Sequence, residues 1–438
     1  MKLIYLVLLL CQVCYIQSGT VYGGTNNIKT REPLFAWRQI DFTDDNELNE
    51  ENIYFEPPPN QIRSANSNNN GGVHDDYIQY NNVPMGATRW QGKIFVTLPR
   101  RRTGVPATLT YIVANKTRRS NIDVPLIPYP DLEVNRLRTR PVKGLTSLVS
   151  VYRTTADECD RLWMVDTGLL EYPDNRQQVQ QPAIVVIDLN RNRIIHRYEL
   201  PDNVLTNSST LASIAVDVRP GSCEDTFAYI PDVSGNAIIV YNLRERRSWK
   251  FTHNSFHQDP IGGEFNLNGL EFEWDDGIFS IALGPIDRYG YRTAYYHAMA
   301  STHQFSVSTR VLRNQTNSER SFHGNDFVHL GDKGERQQTS SSVFDLDTGV
   351  LFYDLVNNNA LGCWNTRKPF SSQNHVVLFQ DNERFIYPSD ITDDREGNIW
   401  VMTNTMPFFN YRSLNPQEIN FRIWAFNVRE LVSNTNCA

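Results

Sequence analysis

The sequence is poor in long apolar runs. After the first nineteen positions no stretch is long enough to span a bilayer. It lacks the motifs of the common hydrolases: there is no Gly-x-Ser-x-Gly and no His-Glu-x-x-His. Basic blocks are missing as well, and the net charge is −7. That balance gives no electrostatic footing for nucleic acid or a membrane surface. The tightest basic run, Arg100-Arg101-Arg102, reads as a solvated turn. Long helical periods are absent. Cysteine is scarce, six in 438 residues.

What is present begins with an export signal. Residues 1–19 carry one positive charge, a short apolar core and small residues near Ser18 and Gly19, as a secretory signal peptide does. Cys11 and Cys14 would leave with it. Cys159, Cys223, Cys363 and Cys437 remain, an even number in an oxidising compartment, and three pairings are possible. Asn115-Lys-Thr, Asn207-Ser-Ser and Asn314-Gln-Thr are glycosylation acceptor sequences that agree with export. Residues 20–82 form an extension. It contains a strand candidate over residues 35–42 and a low-complexity stretch rich in Pro, Asn, Ser and Gly that cannot build a core.

From residue 83 to the end one pattern recurs six times: an alternating apolar run, a turn rich in Asp and Gly, and a second run around an aromatic anchor. The anchors are Phe95, Trp163, Phe227, Phe279, Phe352 and Trp400, unevenly spaced, with room for two more strands in most gaps. In the fourth copy, residues 269–274 read as the first run and 278–283 as the second. Four strands repeated six times predict an all-β fold, a six-bladed β-propeller with a central channel, because a four-stranded blade covers its faces only against neighbours. Residues 35–42 are expected to add a strand to the sixth blade and so close the ring. Cys159 and Cys223 each lie four positions before an anchor, in equivalent turns of successive blades. That pairs them, and pairs Cys363 with Cys437.

Polar residues on inner strands are then the candidates for a site: Thr88, Ser147, Ser150, Ser213, Asp217, Glu271, Glu273, Ser341, Asp345, Ser389, Asp390 and Asn404. For each, hydrogen bonding within and between blades is the competing role. Carboxylates and hydroxyls with aromatic neighbours suit a small aromatic ligand, a catechol or an indole amine. The acidic turns read as turns, and no metal or cofactor is called for. His253 and His257 read as loop histidines.

Several stretches resemble the insect yellow and major royal jelly protein family. They are residues 82–100, Gly104-Val-Pro-Ala-Thr-Leu109, Pro128-Tyr-Pro130, Cys159-Asp-Arg-Leu-Trp-Met-Val-Asp-Thr-Gly168, Ala360-Leu-Gly-Cys-Trp-Asn365 and Asn420-Phe-Arg-Ile423. The chain is similar to the yellow proteins, of a yellow-c-like kind, rather than to the royal jelly storage proteins. The resemblance implies an extracellular propeller linked to cuticle pigmentation, melanin and catecholamine metabolism. In some members it implies conversion of dopachrome, in others binding of biogenic amines at the channel mouth. Carried over, the amine-binding positions are Ser389, Asn404 and Met406, with Met406 standing where binders have an aromatic. Three functions compete: an isomerase acting on dopachrome, with Asp390 or Glu273 as the base; a non-catalytic amine binder; and a structural extracellular glycoprotein.

Overall fold

A computed structural model describes residues 32–43, 77–114, 120–138 and 147–438. The export signal, the low-complexity stretch and Asn115 lie outside the described residues. Six four-stranded antiparallel sheets form the blades of a β-propeller. Their innermost strands are Gly86–Trp90, Val151–Ala156, Ala215–Arg219, Ile278–Leu283, Ser342–Asp345 and Pro388–Asp393. The second strand of each blade packs on both faces. Accordingly Arg161–Asp166, Val350–Leu355 and Asn398–Thr403 are buried throughout, whereas the outer strand Arg193–Glu199 has no fully buried residue.

Five of the six aromatic anchors sit on second strands. The fourth does not. Phe279 belongs to the inner strand of blade 4, and residues 270–273 form a separate hairpin with Glu264–Leu267. The expected register of that unit was one strand too early. The side hairpin carries the same apolar alternation and is followed by the same kind of acidic turn, Asp275-Asp276-Gly277, so the local pattern alone cannot tell it from a blade.

The ring closes as expected, with a shorter strand. Phe35–Trp37 pairs antiparallel with Phe421–Asn427, Phe35 opposite Ile423, as the outer strand of blade 6. Trp37 is fully buried, and its indole N–H donates to the Val124 carbonyl at 2.6 Å. Disulfides join Cys159 to Cys223 and Cys363 to Cys437. The second fixes the C-terminus to blade 5.

Around the axis every seam between blades is bridged by a hydroxyl on or next to an inner strand. Thr392 donates to the Ala87 carbonyl (2.7 Å) and Thr88 to that of Thr154 (2.8 Å). Thr155 donates to Ile214 and Ser213 to Phe279, each at 2.6 Å. Ser280 and Ser342 share a bond at 3.2 Å, and the Ile391 amide donates to Ser341 Oγ at 3.1 Å. Thr88, Ser213 and Ser341 are therefore occupied in holding blades together.

Candidate functional site

The inner strands all begin at one end of the propeller, and there the side chains converge. Met85, Tyr152, Ala212, Val233, Val356, Tyr387 and Met406 form one apolar cluster with the hairpin residues Phe265 and Phe272, Trp274 and Phe408. The hairpin lies over this mouth as a lid. Phe272 stacks on Tyr411 with centroids 5.4 Å apart. Trp274 donates to the Tyr411 hydroxyl at 2.7 Å, and its ring meets Tyr387 edge-on at 5.9 Å. Two residues here, Tyr387 and Thr405, have φ of 49° and 51°, the left-handed region that bulky residues avoid.

Just inside the mouth, Arg153 reaches from blade 2 across the axis. Its guanidinium donates to the carbonyls of Ser340 (3.1 Å) and Ser389 (2.6 Å). It lies over the Phe279 ring at 5.5 Å and 3.6 Å from an Asp390 carboxylate oxygen. Asp390 is buried and accepts from the Ala87 amide at 3.1 Å and from Ser341 Oγ at 3.4 Å. Gly86 gives it room, since a Cβ there would stand 3.0 Å from Asp390 Oδ2. Burial pushes the Asp390 carboxyl up to about 6, against the pull of Arg153 and its donors. Behind it, the fully buried Asp354 accepts from the Ser340 amide and hydroxyl at 2.6 and 2.7 Å.

Two charged groups at the mouth escaped the sequence reading. Asp276, half-buried, lies two positions before the inner strand of blade 4. Burial, reinforced by Asp275 and opposed by Arg101, pushes its carboxyl up to about 7. Arg101, on the loop after the second strand of blade 1, touches Met406 Sδ at 2.8 Å. The basic run is thus no solvated turn. Arg100 is buried and donates to the carbonyls of Val105, Pro106, Asn135, Leu148 and Val149. Arg102 lies over the Phe409 ring at 3.9 Å.

The carried-over positions come together around one residue. Ser389 Oγ donates to the Met85 carbonyl (2.9 Å). Asn404 Nδ2 donates to Pro84 O (2.8 Å) and touches Met85 Sδ (3.4 Å). Met406 shares the same cluster. Glu271 and Glu273 are not on an inner strand. They lie exposed on the lid, Glu271 accepting from Asn266 Nδ2 at 3.0 Å. Asp217 is a buried structural ion, paired with Arg292 (2.9 Å) and Arg313 (2.6 Å). Asp345 accepts from the Thr348 amide in its own turn, and Ser147 and Ser150 bond to Gln180 and the Arg100 amide. In the acidic turn of blade 6, Asp394 holds the Trp400 indole (3.0 Å), Asn398 (2.8 Å) and Arg89 (3.2 Å). Asn207 and Asn314 are exposed.

The fold is a six-bladed propeller whose axial mouth is lined with aromatic residues and covered by a hairpin. Residues 149–437 match the family model described as "Major royal jelly protein". The chain is 42% identical over 428 residues to the protein named L-dopachrome tautomerase yellow-f of Drosophila melanogaster, covering 95% of this chain and 96% of that one. It is 40% identical over 365 residues to Protein yellow of the same species, covering 83% of this chain and 65% of that one. The chain belongs to the yellow and major royal jelly protein family.

Proposed function

We propose that this is an exported protein of pigment and catecholamine metabolism that converts dopachrome at the lidded mouth. The observation that carries the reading is the end-to-end likeness to a protein named L-dopachrome tautomerase. The mouth supports it chemically. The isomerisation needs no oxidant: two C–H protons leave the five-membered ring and two protons return to the quinone oxygens. It needs a base with a pKa near working pH, within reach of the ring. Asp276, half-buried, with its carboxyl pushed up to about 7 and its charge reaching Tyr387 of the aromatic mouth, is the first candidate. Asp390, deeper and engaged by Arg153, is the second candidate. Export is supported by the signal-type N-terminus and two disulfides.

The test is dopachrome conversion to its isomer, the dihydroxyindole carboxylic acid, with wild type, Asp276→Asn, Asp390→Asn and Glu273→Gln. The exposed Glu273 is expected to be dispensable. Loss in Asp390→Asn alone moves the base inward, and a wild type no faster than heat-denatured protein sinks the reading.

A second reading, a non-catalytic binder of an aromatic amine, is favoured by the convergence of Ser389, Asn404 and Met406 on Met85. Calorimetry with serotonin, dopamine and octopamine decides it. Absence of both heat and turnover leaves the structural glycoprotein.

A further inference from the structure

We infer that the mouth selects aromatic acids, with Arg101 anchoring the ligand's carboxylate. The inference rests on the reading that the mouth is the ligand site, and it adds the charge of what enters. Of the three consecutive arginines, two are committed. Arg100 is buried on backbone carbonyls, and Arg102 packs on Phe409 and donates to its carbonyl at 3.1 Å. Arg101 is different. It is half-buried, and among the described residues its guanidinium donates only to the Met406 thioether at 2.8 Å and the Asn410 amide oxygen at 3.4 Å.

A thioether is a weak acceptor, and a guanidinium carries five donors. Among the described residues no carboxylate lies within the 4.0 Å of an ion pair with Arg101, although its charge reaches Asp276, Tyr152 and Tyr387. A half-buried cation with so few acceptors is a place for an anion, and the planar fork suits a carboxylate held by two parallel bonds. Tyr387, which the charge of Arg101 reaches, and Met406, which Arg101 touches, share one cluster with Trp274 and Phe272, whose centroids lie 4.6 Å apart. A ligand with a flat ring and a carboxylate uses both surfaces. An amine cation meets Arg101 as a like charge. Dopachrome is such an acid: its carboxylate sits on the ring carbon next to nitrogen.

The test is calorimetric binding of indole-2-carboxylate and its uncharged isostere indole-2-carboxamide to the full chain. Wild type should bind the acid about tenfold or more tightly than the amide, the scale of a hydrogen-bonded charge. Arg101→Gln should abolish the preference, Arg101→Lys should keep part of it, and Arg102→Gln should leave it intact. Equal binding of the two probes by wild type, binding of neither, or a preference that survives in Arg101→Gln overturns the proposal. Turnover is read separately. A wild type that prefers the acid yet leaves dopachrome unchanged refutes catalysis and keeps the anchor. One that converts dopachrome and its methyl ester equally well does the reverse.

Discussion

Arg153 Nη2 donates to the carbonyl of Ser389 at 2.6 Å, joining blade 2 to blade 6 past the blade that separates them in the ring. The same side chain faces Asp390 at 3.6 Å with both groups buried. One guanidinium therefore ties together strands that no ladder connects, and it compensates the buried carboxylate beside it.

Removing that cation should be costly. Arg153→Met leaves Asp390 without its counter-charge in a buried site, which is expected to destabilise by about 3–5 kcal/mol. Urea unfolding measures it. A cost below about 1 kcal/mol would show that the pair contributes little.

If Asp276 is the base of the proposed reaction, that reaction depends on pH. A base must be ionised, so kcat/KM should rise with pH up to about 7 and then level. The acid limb should vanish in Asp276→Asn. A limb unchanged by that substitution assigns the titration to another group.

Lys333 gives stability its own pH dependence. It is 2% exposed, its ammonium has no hydrogen-bond partner among the described residues, and burial lowers its pKa to about 7. Above about pH 7 the unfolded chain then binds more protons than the native one, up to the ordinary lysine range, so this group makes stability rise with pH across that window. Lys333→Met should raise the urea midpoint near neutrality and flatten the rise. A slope preserved in the variant would count against the assignment.

The bridge from Cys363 to Cys437 spans 74 positions. Replacing both residues with alanine should cost about 4 kcal/mol in the chain-entropy model. Differential scanning calorimetry of the variant beside wild type checks this, and an unchanged Tm would mean that the apolar packing around the C-terminus suffices.

Much of the scaffold was legible because it is written locally. The alternation around Trp163 and Trp400, the cysteines four positions before Trp163 and Phe227, and the apolar run at Phe35 each depend on nearest neighbours. Blade 4 was misread because the lid hairpin uses the same local signal as a blade. The site was less legible. Ser389, Asn404 and Met406 came from a resemblance, and the structure gathers them at Met85. Asp276 and Arg101 looked like ordinary turn residues. What distinguishes them is facing one mouth from opposite parts of the chain, a relation that no window of sequence contains.

The pairing of Phe35 with Ile423 also sets a schedule. The segment that completes blade 6 is among the first parts of the described chain to be made, and its partner strand is among the last. Blade 1 offers Trp37 the Val124 carbonyl early, but its ladder partner Phe421 is made only much later. A chain truncated before Phe421 lacks the strand that the clasp pairs with, so blade 6 is expected to stay incomplete and the ring open. Quality control in the cell would thus meet a premature stop near the C-terminus as a failure of the entire ring.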